Sequence, residues 1–369
     1  MRLGSRLVRG VLGVALFGAL AVTPALGGCS AETSEPDDGG GQVSEDELRS
    51  EEESFTPLEA TDAELTRAKE PERSFEHELT LFAIPAPKLV SLSWKSPGGL
   101  ARRTLINEGF GFSRAIGHVF VRVDCGAIAG KPATSRQVGQ TSTGDEFRTM
   151  VLKEKAGLGV LFRTVPGALE TEAELDATLK DRYASGRIGT IRYGISGEAC
   201  HALLDYVKEY DKRDVEDEYG FVRPLYQEGS GCSAFGMSFL RLAGLIEPYM
   251  GQEWKFDVRI PMTLIGGTTN PGNEVSVARL FTLGRGWASP TEPHLRLNGW
   301  DPTLMYKSIE LRAKQGLKDA SVKVEKRGRA LGLVVDKRTA TPSPRLTSRE
   351  FFSGPPAPND AKRFLTADE

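Results

Sequence analysis

The stretch from Gly229 to Gly244 narrows the folding options of this chain more than any other. Gly229-Ser230-Gly231-Cys232 is a glycine turn that runs straight into a helical pattern. Phe235, Phe239, Leu242 and Ala243 fall on one stripe, the spacing of a buried helix face. Ser230 is placed to cap the start, and Gly244 to end the helix in a left-handed C′ position. A chain with such a helix must bury the stripe against a second layer, and it then presents Cys232 at the helix N-terminus. Free backbone N–H groups and the positive end of the dipole favour the thiolate there, which is the nucleophilic form. The alternative is a small buried thiol that only fills space.

The other end of the chain says where the protein goes. Arg2, Arg6 and Arg9 precede an apolar run from Val11 to Leu20, the pattern of a secretory signal over residues 1–28. The run is too short and too Gly-rich for a membrane span. It ends in Leu26-Gly27-Gly28-Cys29, which resembles the lipobox of bacterial lipoproteins. The resemblance implies that Cys29 is acylated, for example with palmitate, and becomes the new N-terminus. An ordinary signal peptide with a coincidental cysteine is the alternative. Ser30 stands where Asp would favour inner-membrane retention, so the expected place is the outer membrane, facing the periplasm or the cell surface. With a net charge of −3, no basic surface argues for nucleic acid.

Residues 29–74 are rich in Asp and Glu, interrupted by Gly39-Gly40-Gly41, and bury too little apolar area to offset their ordering entropy. They read as a solvated acidic tether. The body is expected over 75–337 as one elaborated domain, with 338–369 a loose Pro-rich tail. Strands are expected at Lys88–Trp94, Arg114–Val123, Phe147–Lys153, Gly157–Arg163, Gly189–Ile195 and Phe256–Met262. Helices are expected over Leu169–Ala184, after a Ser196 cap, and over Thr303–Lys314 under an Asp301 cap.

A cysteine nucleophile needs a base and oxyanion donors. Of the four histidines, His77 lies in a charged context and His294 in a loop. His201 falls off its helix's apolar stripe, and solvent exposure is its default. His118 shares a strand face with Ile116, Phe120 and Arg122, where a core histidine bonded to backbone is the competing reading. Closely spaced Cys/His pairs that would hold zinc do not occur, and no dinucleotide or Gly-x-Ser-x-Gly pattern appears, so no cofactor or metal is expected. In an oxidising compartment, three cysteines besides Cys29 leave one thiol over. Cys125–Cys200 with Cys232 free suits catalysis, but a bridge to Cys232, or three reduced thiols, stays open.

A strand histidine followed by a helix-start cysteine is the papain arrangement in reverse order. Ile116-Gly117-His118-Val119-Phe120-Val121-Arg122-Val123, together with Gly231-Cys232-Ser233-Ala234-Phe235, resembles the circularly permuted NlpC/P60 superfamily, which includes lecithin:retinol acyltransferase-like proteins. The resemblance implies an α+β, permuted papain-like fold, an antiparallel sheet packed against the nucleophile helix. It makes Cys232 the nucleophile and His118 the base, with the Cys232 N–H and the Tyr226 hydroxyl as oxyanion donors. It leaves the residue that orients the histidine open among Gln137, Gln140, Glu146 and Arg148, while Asp124 lies too far along the strand. The activity implied is a cysteine hydrolase or acyltransferase acting on an amide or ester, with a cell-wall peptide of peptidoglycan favoured by location and an acyl lipid also admitted. A non-catalytic binding or scaffold lipoprotein is the alternative.

Overall fold

The computed structural model describes residues 74–87, 94–109, 116–284, 286–317 and 323–353. The signal segment, Cys29 and nearly all of the acidic tether lie outside them, as does the strand expected from Lys88, except for Trp94. The first half holds β1 (His77–Ile84), α1 (Pro97–Gly109), β2 (His118–Cys125), β3 (Thr134–Ser142), α2 (Glu146–Leu152), β4 (Val165–Leu169) and α3 (Glu172–Ser185). Then come β5 (Gly189–Gly194), α4 (Gly197–Lys212), β6 (Glu218–Tyr219), α5 (Cys232–Leu242) and α6 (Pro248–Glu253). The last third holds β7 (Lys255–Pro261), α7 (Val277–Leu283), β8 (His294–Trp300), α8 (Pro302–Gly316), β9 (Lys323–Arg327), β10 (Ala330–Asp336) and α9 (Pro344–Ser348).

The protein is α+β, with one large sheet in the order β6-β4-β3-β2-β1-β5-β10-β9. The sheet is mixed rather than antiparallel throughout, because β10 runs parallel to β5. A parallel neighbour needs a crossover, and α8 supplies the last leg of it, packing on β10, β5 and β1. Period-two alternation sends Leu79, Leu81, Val119, Val121, Ile191 and Tyr193 to one face, where they meet α4 and α5 through Leu203, Tyr206, Phe235 and Phe239. Phe82, Ile84 and Phe120 point the other way, under Leu175, Leu179 and Tyr183 of α3. Each of these large side chains stabilises the fold by roughly 1.5–3 kcal/mol through burial. A second apolar cluster joins the separate β7–β8 pair to α1 and α7, through Leu100, Phe256, Val258, Leu280 and Leu297.

Helix α5 forms where the glycine turn predicts. Its N-cap is Gly231, with no side-chain cap; Ser230 Oγ donates instead to the Gly231 carbonyl at 2.8 Å. Gly244 ends it at φ +71°, and the Leu245 N–H closes on the Leu240 carbonyl at 2.8 Å. Gly236 lets the helix lie close on β2, since a Cβ there would stand 2.6 Å from Val119 Cγ1.

Several local expectations are overturned. Phe147–Lys153 is largely the helix α2, and Gly157–Arg163 contains a 3₁₀ turn over Leu158–Phe162. Phe147, Met150 and Val151 repeat at helical rather than alternating spacing, and the Lys153 N–H closes on the Thr149 carbonyl. Strand β2 starts at His118 rather than Arg114, because Gly117 takes φ +89° just before it. Helix α3 starts at Glu172, three residues later than expected, because Thr171 and Glu174 form a reciprocal capping box. The loose tail expected over 338–369 is packed as far as Ser353. Leu346 of α9 and Phe351 sink into the main core, driven by apolar burial that the Pro-rich composition hides. His201 is buried rather than exposed, its Nε2 2.9 Å from the Gly126 carbonyl oxygen.

Candidate active site

The β2–β3 ladder ends at the Phe120–Gly139 pair, after which β3 leaves β2 and pairs with β4 through Gln140, Thr141 and Ser142. His118 stands at the mouth of this split, one position beyond Val119. Its neighbour across the gap is Glu170, which directly follows β4 and precedes the Thr171 cap of α3. The Glu170 N–H donates to the Gly139 carbonyl at 2.8 Å, which fixes its backbone. Its carboxylate Oε2 lies 2.6 Å from His118 Nε2, and both side chains are buried. With Nε2 held, Nδ1 is the ring nitrogen left to face the thiol.

Cys232 occupies the first position of α5 and is buried, and His118 is the neighbour whose hydrogen bonding and charge do most to stabilise its thiolate. Among the described cysteines it is the free one; Cys125 and Cys200 are joined in a disulfide between β2 and α4. Burial alone would raise the Cys232 pKa. The hydrogen bond and positive charge of His118, the Val119 N–H and the Tyr219 hydroxyl outweigh it, so the thiol lies below its ordinary value. Burial likewise depresses His118, but its bonds to Cys232 and Glu170 and their negative charge carry it above the ordinary histidine value. The two shifts point the same way, toward a thiolate–imidazolium pair.

Tyr219 of β6 completes the site. Its hydroxyl is close enough to Cys232 for each group to act on the titration of the other; Ser233 Oγ is in bonding contact with the sulfur, at 3.9 Å. Desolvation, then the charge of Cys232, push its pKa well above that of free tyrosine, so it stays protonated and remains a donor. The expected donor Tyr226 is engaged otherwise: the guanidiniums of Arg223 and Arg345 stack on its ring, at 4.2 and 5.4 Å from the centroid.

None of the four residues proposed for orienting His118 does so. Gln140 bonds to Tyr210 and the carbonyls of Glu216 and Glu218, Gln137 bonds to Asp176, and Glu146 and Arg148 belong to α2. Asp124 pairs with Arg122 and Ser135. The helix begins at Glu172, whereas one running from Leu169, as the pattern predicts, would place Glu170 inside regular structure. The Thr171-x-x-Glu174 capping box was the signal that frees it to follow a strand and precede a cap. His77 accepts from the Gly126 N–H, and His294 Nδ1 lies 2.7 Å from the Glu292 carbonyl; neither approaches the thiol.

At Gly139 the backbone comes close to the orienting carboxylate. A Cβ there would collide with Glu170 Oε2 and stand 3.3 Å from His118 Nε2. Gly139→Ala is therefore expected to displace the Glu170–His118 bond and slow thiol alkylation at least tenfold at pH 7, with the far-UV circular dichroism retained.

The site opens into a cavity of about 440 Å3 between the main sheet and the β7–β8 pair. Its walls are mainly apolar, including Trp94, Leu100, Phe147, Leu161, Phe221 and Phe256. Trp94 stacks on Phe256 with ring centroids 3.5 Å apart and is pinned by its indole N–H to Asp301 at 2.6 Å. Among the described residues, no cluster of His, Cys, Asp and Glu is arranged to hold a metal, and no helix is long and apolar enough to cross a membrane. Compared with family models, curated proteins and solved structures, the chain matches none.

Proposed function

We propose that this protein is a lipid-anchored cysteine hydrolase or acyltransferase of the permuted papain-like type, acting on an ester or amide through a thioester. The observation that carries the reading is the buried line Glu170–His118–Cys232 at the floor of an apolar cleft, with the thiol pKa depressed and the imidazole pKa raised. Glu170, 2.6 Å from His118 Nε2, supports this reading over a non-catalytic scaffold, since it supplies the orienting group a Cys–His pair needs. The apolar walls suit an acyl chain better than the cell-wall peptide that location favours.

The chemistry follows from the geometry. The Cys232 thiolate adds to the carbonyl carbon, forming the C–S bond as the carbonyl electrons move onto oxygen. The Cys232 N–H at the start of α5 and the Tyr219 hydroxyl, released as the sulfur loses its charge, donate to that oxygen. Collapse breaks the bond to the leaving group, which takes the proton from the His118 imidazolium. Neutral His118 then takes a proton from water or an acceptor hydroxyl as that oxygen attacks the thioester. Cys232 leaves as the thiolate, and the ion pair is restored. Glu170 keeps the ring oriented and stabilises its cationic form throughout.

The test uses p-nitrophenyl dodecanoate. Wild-type protein should gain one dodecanoyl group on Cys232 by intact-mass and peptide analysis, removable by hydroxylamine, and Cys232→Ala should gain none. Ester cleavage at equal rates in both proteins would end the proposal.

A further inference from the structure

Tyr219 of β6 and Cys232 of α5 are joined by the loop 220–231, and both line the cleft. Main-chain bonds close the neck of this loop. The Ser230 N–H donates to the Glu218 carbonyl at 2.9 Å, and the Gly220 N–H donates to the Ser230 carbonyl at 3.4 Å. The two strands of the neck lie so close that a Cβ at Gly229, which takes φ +89°, would collide with the Glu218 carbonyl. Tyr219 thus sits between two residues that Ser230 holds, and Cys232 lies two positions beyond Ser230. The body of the loop is bent against its preferences. After a 3₁₀ turn over Pro224–Tyr226, Gln227 takes φ +58°, a left-handed conformation that a side chain disfavours. Glu228 holds the bend. Its Oε2 accepts from the Arg223 backbone N–H at 3.2 Å and from Arg223 Nε at 3.0 Å, and its Oε1 accepts from Nη2 at 2.6 Å. The Glu228 N–H donates back to the Arg223 carbonyl at 3.4 Å. The Glu228 side chain is 1% exposed, against 25% for Arg223, so the carboxylate is the member sunk into the loop. A carboxylate is costly to bury, and only a well-formed set of charged bonds offsets that cost.

We infer that Glu228 is a positioning residue for the reaction: clamped on Arg223, it fixes the loop 220–231 and so holds Tyr219 against Cys232. The inference rests on the acyl-transfer reading, in which Tyr219 donates to the oxyanion. Glu228 touches no reacting atom and acts through the neck of the loop. With the clamp open, the neck loosens and the Tyr219 hydroxyl withdraws from the sulfur. The thiolate then loses a group that favours it, and the thiol titrates at higher pH. Arg223 is partly in water, so releasing it costs little, whereas removing Arg223 would strand a buried charge. Glu228 is therefore the side of the pair to change.

The test is the pH profile of Cys232 alkylation by iodoacetamide, followed by peptide mass analysis. The midpoint is read rather than the plateau, because a loosened loop changes access and so the plateau, while the midpoint follows the protonation of the thiol. Glu228→Ala should move the midpoint up by about half to one pH unit, the size of one hydrogen bond. Glu228→Gln, which keeps one accepting oxygen, should move it less. Tyr219→Phe should move it as far as Glu228→Ala does. The double variant Glu228→Ala/Tyr219→Phe decides the matter. If Glu228 acts through the tyrosine, the double shifts no further than Tyr219→Phe alone; independent roles would add. An unmoved midpoint in Glu228→Ala or in Tyr219→Phe, or shifts that add in the double, would overturn the inference. So would failure of both Glu228→Ala and Glu228→Gln to fold by circular dichroism, which would make Glu228 a support of the fold alone. A wild-type thiol that titrates like a small-molecule thiol removes the ion pair, and the proposed function falls together with the inference. An activated wild-type thiol beside unmoved Glu228 variants removes the inference alone.

Discussion

Replacing His118 with Ala should slow alkylation of Cys232 by iodoacetamide at pH 7 by more than tenfold, and should slow any acyl transfer by about 10²–10⁴-fold, the usual worth of a positioned base. The sign follows from the local electrostatics. Burial pushes the thiol up, and the main counterweight is the hydrogen bond and charge of His118. Without the imidazole, desolvation is opposed only by the Val119 N–H and the Tyr219 hydroxyl. Each unit that the pKa rises removes about nine-tenths of the thiolate present at a pH below it. In the wild type, the rate of labelling against pH should therefore rise at lower pH than for a small-molecule thiol. In His118→Ala the rise should move to higher pH. Glu170→Gln should move the profile the same way by a smaller amount, because it removes the charge that supports the imidazolium but leaves a group able to bond to Nε2. Identical profiles for wild type and His118→Ala would mean that the thiol is not paired, and the proposed chemistry would lose its nucleophile.

Removing the Cys125–Cys200 disulfide should produce the largest loss of stability of any change away from the site. The bridge ties the end of β2 to the first turn of α4 and closes a sequence separation of 75 residues. On the loop-entropy account, opening a loop of that length costs about 4 kcal/mol. In a domain of this size that lowers the melting temperature by roughly 10 °C. Cys125→Ala/Cys200→Ala should show this shift by thermal circular dichroism. The loop it closes also holds Gly139, Glu170 and the start of α4, so thiol alkylation at 25 °C should stay fast only while the sheet remains folded. A melting temperature unchanged within 2 °C would mean that burial of Val121, Val123 and Leu203 holds β2 to α4 without the bridge.

The parts of this protein readable from the chain are those set by near neighbours. The stripe Cys200, Leu203, Leu204, Val207 and Tyr210, behind a Ser196 cap, specifies α4, and the structure shows that helix with the Ser196 Oγ accepting from Ala199. Asp301 caps α8 in the same manner, through the Leu304 N–H. The alternation after Gly117 sorts Val119, Val121 and Val123 from His118 and Phe120. The Gly231-Cys232 turn places a thiol at a helix start. In each case the deciding interaction spans four residues or fewer, and periodicity reports it.

Elements whose choice depends on distant partners are not legible in the chain for the same reason. Phe147–Leu152 has apolar residues that suit a strand as well as a helix, and helical backbone bonds, together with packing against Val160 and Val165, settle the matter. Leu346 and Phe351 look like tail until Tyr206 and α4 offer them a place to bury.

Composition and local pattern were enough to place Cys232 at a helix start and His118 at a strand, because caps, glycine turns and alternation are written in short spans. Choosing Glu170 over Gln137, Gln140, Glu146 or Arg148, Tyr219 over Tyr226, and Cys200 as the partner of Cys125 took the folded sheet. Those choices rest on where β3 parts from β2, how β4 and β6 come alongside, and how α4 lies on β2. Such distances are set by many weak contacts between residues far apart in the chain, and no local spacing records them.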